Sequence, residues 1–299
     1  MEAFVSEVLR EVEVKANDAF SVKITENKKN NGVTRMAILA TAPGERGGAS
    51  IYLDGYYERY GAGEMEIDGI AEDICRQIIR HRDDLKDGDL EGLWDWELMR
   101  PHIRAKLVNR KMNRELLRRA PHRKFLDLAV VYYAEVFGLP ERDKGAIVVL
   151  DKYMERWGQD EESLYQTACA NMRLAGVPVF EGMDKILRGM IPEPMLPFAD
   201  ADSVISMYVL TNQDKVFGAA EILDSGTLKE ISDRLGGDYI VLPSSVHESI
   251  IIPAEGAASY QELSAIVEGV NRDAVSMEEM LSDHVYLYDR NEGVLKIAA

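Results

Sequence analysis

The chain has 299 residues, 46% of them apolar and 29% charged, enough for a sizeable core in one or two domains. Its net charge of −17 argues against general binding to nucleic acid or to anionic membrane surfaces. Two cysteines, Cys75 and Cys169, are too few for a disulfide framework or a zinc site, so free thiols, a cytoplasmic location, no metal and no cofactor are expected.

Met1 to about Asn17 is acidic, with Phe4, Val5, Val8, Leu9 and Val12 at helical spacing, and lacks the basic start of a secretory signal. Phe20 to Ile24 alternates as a strand. Val33 to Ala40 reads as its partner across Asn31-Gly32, the strongest short hairpin signal. A Gly-rich loop from Gly44 to Ser50 leads to a short strand, Ile51-Tyr52-Leu53. It has no Gly-Lys-Ser/Thr ending and no helix directly after it, so it is not a phosphate loop. From Glu66 to Arg82, Ile67, Ile70, Ala71, Ile74, Cys75, Ile78 and Ile79 form one apolar helical stripe. The His81-Arg82-Asp83 at its end lacks the Asn and the Gly-rich loop of a kinase site.

The charge then reverses. Arg100 to Lys124 holds ten Lys or Arg and a single acid, Glu115, leaving 25 basic against 51 acidic residues elsewhere. Arg110, Lys111, Arg114 and Arg118 are the candidate anion-binding residues. The expectation is nevertheless that this face pairs with the acidic remainder, which would also cancel long-range attraction for phosphates. Phe125 to Phe137 reads as a long strand or buried segment. The apolar run there is broken by Glu135 and is too short for a membrane helix, so no membrane is expected. Ala146 to Leu150 is a further strand, Asp160 opens a helix to about Leu174, and Gly182 to Met190 is a short helix.

Three prolines between Ile191 and Asp200 mark a linker. The expected class is α+β: a mixed N-terminal domain over 1–190, a Pro-rich linker over 191–203, and a C-terminal ββα-ββα-ββ domain over 204–299 with a mainly antiparallel sheet. An offset of 32 residues places Val209-Leu210 on Val241-Leu242, and Gly218-Ala219-Ala220, read as a strand, on Ile250-Ile251-Ile252. It also places Thr227-x-x-Glu230 on Ser259-x-x-Glu262, both read as capping boxes. The identities are few, and whether the unit was duplicated stays open. Ser276-x-x-Glu279 is expected to cap a short helix, and Val285–Asp289 and Val294–Ile297 to close the chain as a hairpin.

The polar turn of the second unit, with Asn212 in the first, supplies the candidate binding residues: Ser244, Ser245, His247, Glu248 and Asn212. Adjacent strand residues face opposite ways, so Glu248 cannot orient the His247 ring as a triad requires, and no catalytic residue is assigned. A structural polar hairpin is expected there.

One set of residues comprises Lys29-Asn30-Asn31, Ile51-Tyr52-Leu53, Tyr56-Tyr57, Arg114-Glu115-Leu116-Leu117, Pro121-His122 and Phe125-Leu126-Asp127-Leu128-Ala129. A second comprises Trp157-Gly158, Ala168, Asn171, Tyr208-Val209-Leu210-Thr211-Asn212, Leu242-Pro243-Ser244-Ser245, His247-Glu248, Leu281-Ser282-Asp283 and Val285-Tyr286. Together they resemble a bacterial family, domain of unknown function 5688, over nearly the whole chain. The Gly47-Gly48-Ala49-Ser50 approach to Ile51 departs from it, where a proline would be expected. The resemblance implies a bacterial, intracellular protein and brings no activity, cofactor or catalytic residue. The expected function is a non-enzymatic binding or regulatory one, toward another protein or a small ligand. The alternatives are a hydrolase-like enzyme centred on Ser245 and His247, and a nucleic-acid accessory protein using 100–124.

Overall fold

The computed structural model describes residues 1–43, 48–84, 92–136, 145–190, 207–243 and 245–299. The loop 44–47, the Pro-rich segment 191–203, Ser244 and the side chains of His81-Arg82-Asp83 lie outside the described residues. The chain forms two compact units, one of 1–99 with 135–146 and one of 100–134 with 147–299. This division falls elsewhere than the expected one, and strands on either side of the Pro-rich segment share a sheet.

In the first unit α1 (Glu2–Ala16) ends on Asn17, whose left-handed φ of 45° stops the helix. An antiparallel sheet follows, β1 (Ser21–Lys28), β2 (Thr34–Thr41) and β3 (Ala49–Tyr52). Asn31 and Gly32, at φ 57° and 74°, make its first turn as the Asn-Gly signal predicts. Gly48 answers the departure noted above. A Cβ there would lie 2.0 Å from the Ala40 carbonyl oxygen, so only glycine lets the chain approach β2 this closely. After α2 (Asp54–Gly61) comes α3 (Ile67–Asp84), which packs beside α1. Val8, Val12, Ile38, Leu53, Ile70, Ile74 and Ile78 make the core between helices and sheet. Ile79, expected in the stripe, is 48% exposed. The short α4 (Trp96–Met99) closes the 1–99 segment of the unit.

The second unit is built on two antiparallel sheets. In the smaller, β6 (Leu128–Val136) is central, flanked by β4 (Ile103–Asn109), β5 (His122–Phe125) and β7 (Gly145–Val148). The four-residue α5 (Arg114–Leu117) lies between β4 and β5. After α6 (Asp151–Trp157), α7 (Glu161–Leu174) opens on Asp160, whose carboxylate accepts from the Ser163 N–H, and packs on β4 through buried Leu164 and Ala168. The larger sheet runs β13 (Val294–Ile297), β12 (Tyr286–Asp289), β10 (Tyr239–Leu242), β11 (Ser249–Pro253), β9 (Tyr208–Thr211), β8 (Val179–Gly182). The helices α8 (Met183–Met190), α9 (Ser225–Leu235) and α10 (Tyr260–Asp273) complete an α+β fold.

A polar staple joins the two sheets. Asp127, in the turn between β5 and β6, accepts from the Ser282 hydroxyl at 2.9 Å and from the Tyr286 phenol. Asn109 donates to the Leu281 carbonyl, and Asn271 to the Ser282 carbonyl. Burial and the adjacent Asp127 push the Tyr286 phenol well above its ordinary range, so it stays a donor.

Three local readings are corrected. Gly218-Ala219-Ala220 is no strand but the start of a 3-10 turn, Gly218–Leu223, entered through Phe217 at φ 56°. The strand that hairpins with β9 is β8, from the other side of the Pro-rich segment. Helix α9 is capped by Asp224, which accepts from the Thr227 N–H, and not by Thr227 with Glu230. Ser276 holds a single turn instead of a helix. The Ser259–Glu262 capping box is present in full.

Candidate functional site

The loop after β4 is shaped by two asparagines. Asn109 Oδ1 accepts from the backbone N–H of Lys111 and of Met112, both at 3.0 Å. Asn113, 3% exposed, donates through Nδ2 to the Asn109 carbonyl at 2.9 Å. Asx turns of this kind turn the chain outward over a short span. The buried Val108, Ala129 and Val131 then receive Leu117 as an anchor.

These constraints set Arg110, Lys111, Arg114 and Arg118 around an open cleft of about 400 Å³, with Leu117 and His122 completing its lining. The structure thus brings together all four candidate anion-binding residues. No carboxylate lines the cleft among the described residues, and none of the four cationic side chains forms an ion pair with a described residue. His122 went unnoticed in the sequence as a site residue. Its Nδ1 lies 2.9 Å from the Ala120 carbonyl, which can only accept, so Nδ1 carries the proton and Nε2 is left over.

Pairing with the acidic remainder does occur at the far end of the basic stretch. Arg123 makes a two-pronged contact with Glu161, 2.8 Å on each prong, and reaches Glu162 at 2.6 Å. Tyr132 also donates to Glu161, and the guanidinium lies 3.6 Å from the centre of the Tyr165 ring. The Glu161 hydrogen bond, against the opposing effect of burial, holds Arg123 firmly charged. Arg123 is therefore a structural residue.

The polar turn is a knot of backbone contacts. Thr211 donates to the His247 carbonyl at 2.7 Å, and both ends of the Asn212 amide are used by Val216. The His247 Nδ1 accepts from the Phe217 N–H at 3.2 Å, and the ring stacks on Phe217 with 5.7 Å between centroids. Its Nε2 faces Glu279, not Glu248, at 3.7 Å. Ser245 is 6% exposed, and its Oγ accepts from the His247 backbone N–H. A serine hydrolase needs the opposite arrangement, with Nδ1–H donating to a carboxylate and Nε2 accepting from the serine. Here Nδ1 is an acceptor, so the neutral ring carries its proton on Nε2 and no base faces Ser245. His247→Ala should therefore cost about 1–3 kcal/mol, the penalty for orphaning the Phe217 N–H. Urea melts check this, and a variant as stable as the parent would show that the turn does not depend on the ring.

Among the described residues no group of three or more His, Cys, Asp or Glu could hold a metal, and no helix is long and apolar enough to cross a membrane. The residues that carried the resemblance fall into these places: Arg114, Leu117 and His122 at the cleft, Thr211, Asn212 and His247 in the knot, Asp127, Ser282 and Tyr286 in the staple. No curated protein and no solved structure matches the chain. A family model does match, over residues 1–290, and the chain belongs to that family, a family of unknown function (DUF5688).

Proposed function

We propose that this chain is a non-enzymatic binding protein whose ligand is a small phosphorylated molecule held in the basic cleft. One observation carries the reading: Arg110, Lys111, Arg114 and Arg118 converge with no carboxylate among the described residues of the cleft, in a chain of net charge −17. Like charges repel, and four cations gathered with no described acid to pair them call for a multiply charged anion. Guanidinium forks match phosphate oxygens in geometry, and a cleft of about 400 Å³ is within the size of small-molecule sites. Leu117 offers an apolar contact to an organic portion. Both cysteines are free thiols, in keeping with a reducing, cytoplasmic setting.

The nucleic-acid alternative rests on the same cleft. It is weakened by the surrounding negative charge and by the commitment of Arg123 to Glu161 and Glu162. Titration with inorganic tripolyphosphate and with a short single-stranded RNA at physiological salt separates the two. Tripolyphosphate should bind, and Arg114→Glu should weaken it roughly tenfold to a hundredfold, since a hydrogen bond to a charged group contributes about 1.5–3 kcal/mol. RNA binding with a steep salt slope would favour the alternative. Binding of neither, or an unchanged affinity in the variant, would remove the cleft as a site.

A further inference from the structure

A second cleft in the larger unit has the opposite character. The 3-10 turn Gly218–Leu223 carries Glu221 into the angle between α7 and the start of α9. The Glu221 side chain lines a cavity of about 40 Å³, yet the residue is only 7% exposed. No described residue donates a hydrogen bond to its carboxylate. The cation in the cleft lining is already committed: Arg173 donates to Asp224 Oδ1 at 2.8 Å, while Asp224 Oδ2 accepts from Thr227. With Glu221 ionised, the charged lining is therefore Glu221, Asp224 and Arg173, one negative charge in excess.

A buried carboxylate without donors is expensive to maintain. It can hold a proton, or it can meet a positively charged donor entering from outside. The walls decide what kind of donor fits. Met172, Pro178 and Leu223 are apolar, and the segment that forms one wall also carries Leu174 and Val177, 84% and 70% exposed. One water needs roughly 10–15 Å³, so about 40 Å³ admits a few atoms and no nucleotide or sugar.

We propose that this cleft is a ligand site for a primary ammonium group at the end of a short aliphatic chain. The ammonium sits against the Glu221 carboxylate and the methylenes lie along Met172, Pro178 and Leu223. The source is either a free alkylamine or a lysine side chain of a protein partner. Burial, with the nearby Asp224 charge second, pushes the Glu221 carboxyl up to about 7, so proton and ammonium compete for it around neutrality. Cys169, Arg173 and Asp224 are the other titratable groups lining the cleft. Burial pushes the Cys169 thiol up, so it stays neutral and adds no charge of its own.

The experiment uses the whole chain and n-butylammonium chloride, with sodium chloride at equal ionic strength as reference. At pH 8 butylammonium should raise Tm above the sodium reference, and n-butanol should not. The shift should shrink at pH 5.5, where the carboxyl holds its own proton, and vanish in Glu221→Gln, an uncharged near-isostere. The two pH arms need no variant and so keep the test decisive if the substituted chain folds poorly. A short lysine-bearing peptide reproducing the shift would identify the partner source, and butylammonium alone the small-molecule source. No shift at pH 8, or an equal shift in Glu221→Gln, overturns the proposal. Neither result bears on the basic cleft, which tripolyphosphate probes separately.

Discussion

Replacing Gly218 with alanine should destabilise the protein by at least about 3 kcal/mol, at the upper end of what overpacking costs. A Cβ at this position would lie 2.1 Å from Thr211 Oγ1, 2.6 Å from the Asn212 nitrogen and 2.7 Å from the His247 carbonyl oxygen. Two of the three are backbone atoms and cannot rotate aside. The third, the Thr211 hydroxyl, is held by its bond to that same His247 carbonyl. Relief by a shift of the turn is blocked on both sides. Asn212 clamps the loop up to Val216, and the Ala219 N–H donates to the Val246 carbonyl. Phe217, at φ 56°, packs against Tyr133 and His247, so the entry to the turn is fixed as well. Urea melts should show a lower midpoint at unchanged slope. A loss below about 1 kcal/mol would mean that the knot is pliable and that its hydrogen bonds contribute little.

The same turn marks the limit of what the sequence conveys. Elements whose signals are local came through: α1 and α3 from their apolar stripes, the first hairpin from Asn31-Gly32, α7 from Asp160, α10 from Ser259 and Glu262. Gly218-Ala219-Ala220 did not, because small apolar residues suit a strand and a close-packed turn alike. Only the approach of Thr211 and His247, distant in sequence, decides between them. At α9 the sequence pointed to Thr227, whereas the cap is Asp224. Asp224 also pairs with Arg173 across 51 residues, a contact no local pattern reveals. The cleft shows the same split. Arg110, Lys111, Arg114 and Arg118 stood out by composition alone. What the composition could not convey is which cations the acids would reach: Arg123 on β5 meets Glu161 in the first turn of α7, while no described acid pairs with Arg110, Lys111, Arg114 or Arg118.

Glu221 gave no sequence signal, being one of 52 acids, and it carries the second large expectation. Stability should fall as pH rises through neutrality, and Glu221→Gln should abolish that part of the fall. Burial first, and the Asp224 charge second, raise this carboxyl from an ordinary 4.5 to about 7 in the folded state. Below about pH 4.5 both folded and unfolded chains hold the proton, and the effect vanishes. Between about 4.5 and 7 the folded chain keeps a proton that the unfolded chain releases, so raising pH favours unfolding. Above 7 the whole penalty is present, about 3 kcal/mol at 1.36 kcal/mol per pKa unit. About 2 kcal/mol of it should develop between pH 5.5 and pH 8. Carboxyls held low act at the acid end instead. Burial opposes the ionisation of Asp224, but the Thr227 N–H and Arg173 outweigh it and keep Asp224 below the ordinary range. Histidine contributions are common to parent and variant and cancel in the comparison. The measurement is therefore a difference of differences: urea melts of both proteins at the two pH values, with the gap between them widening by about 2 kcal/mol toward pH 8 in favour of the glutamine variant. The amide's own unmet hydrogen bonds lower the variant equally at both pH values and leave that widening intact. Parallel profiles would mean that the carboxylate is hydrated where it stands, and that the cleft does not strain it.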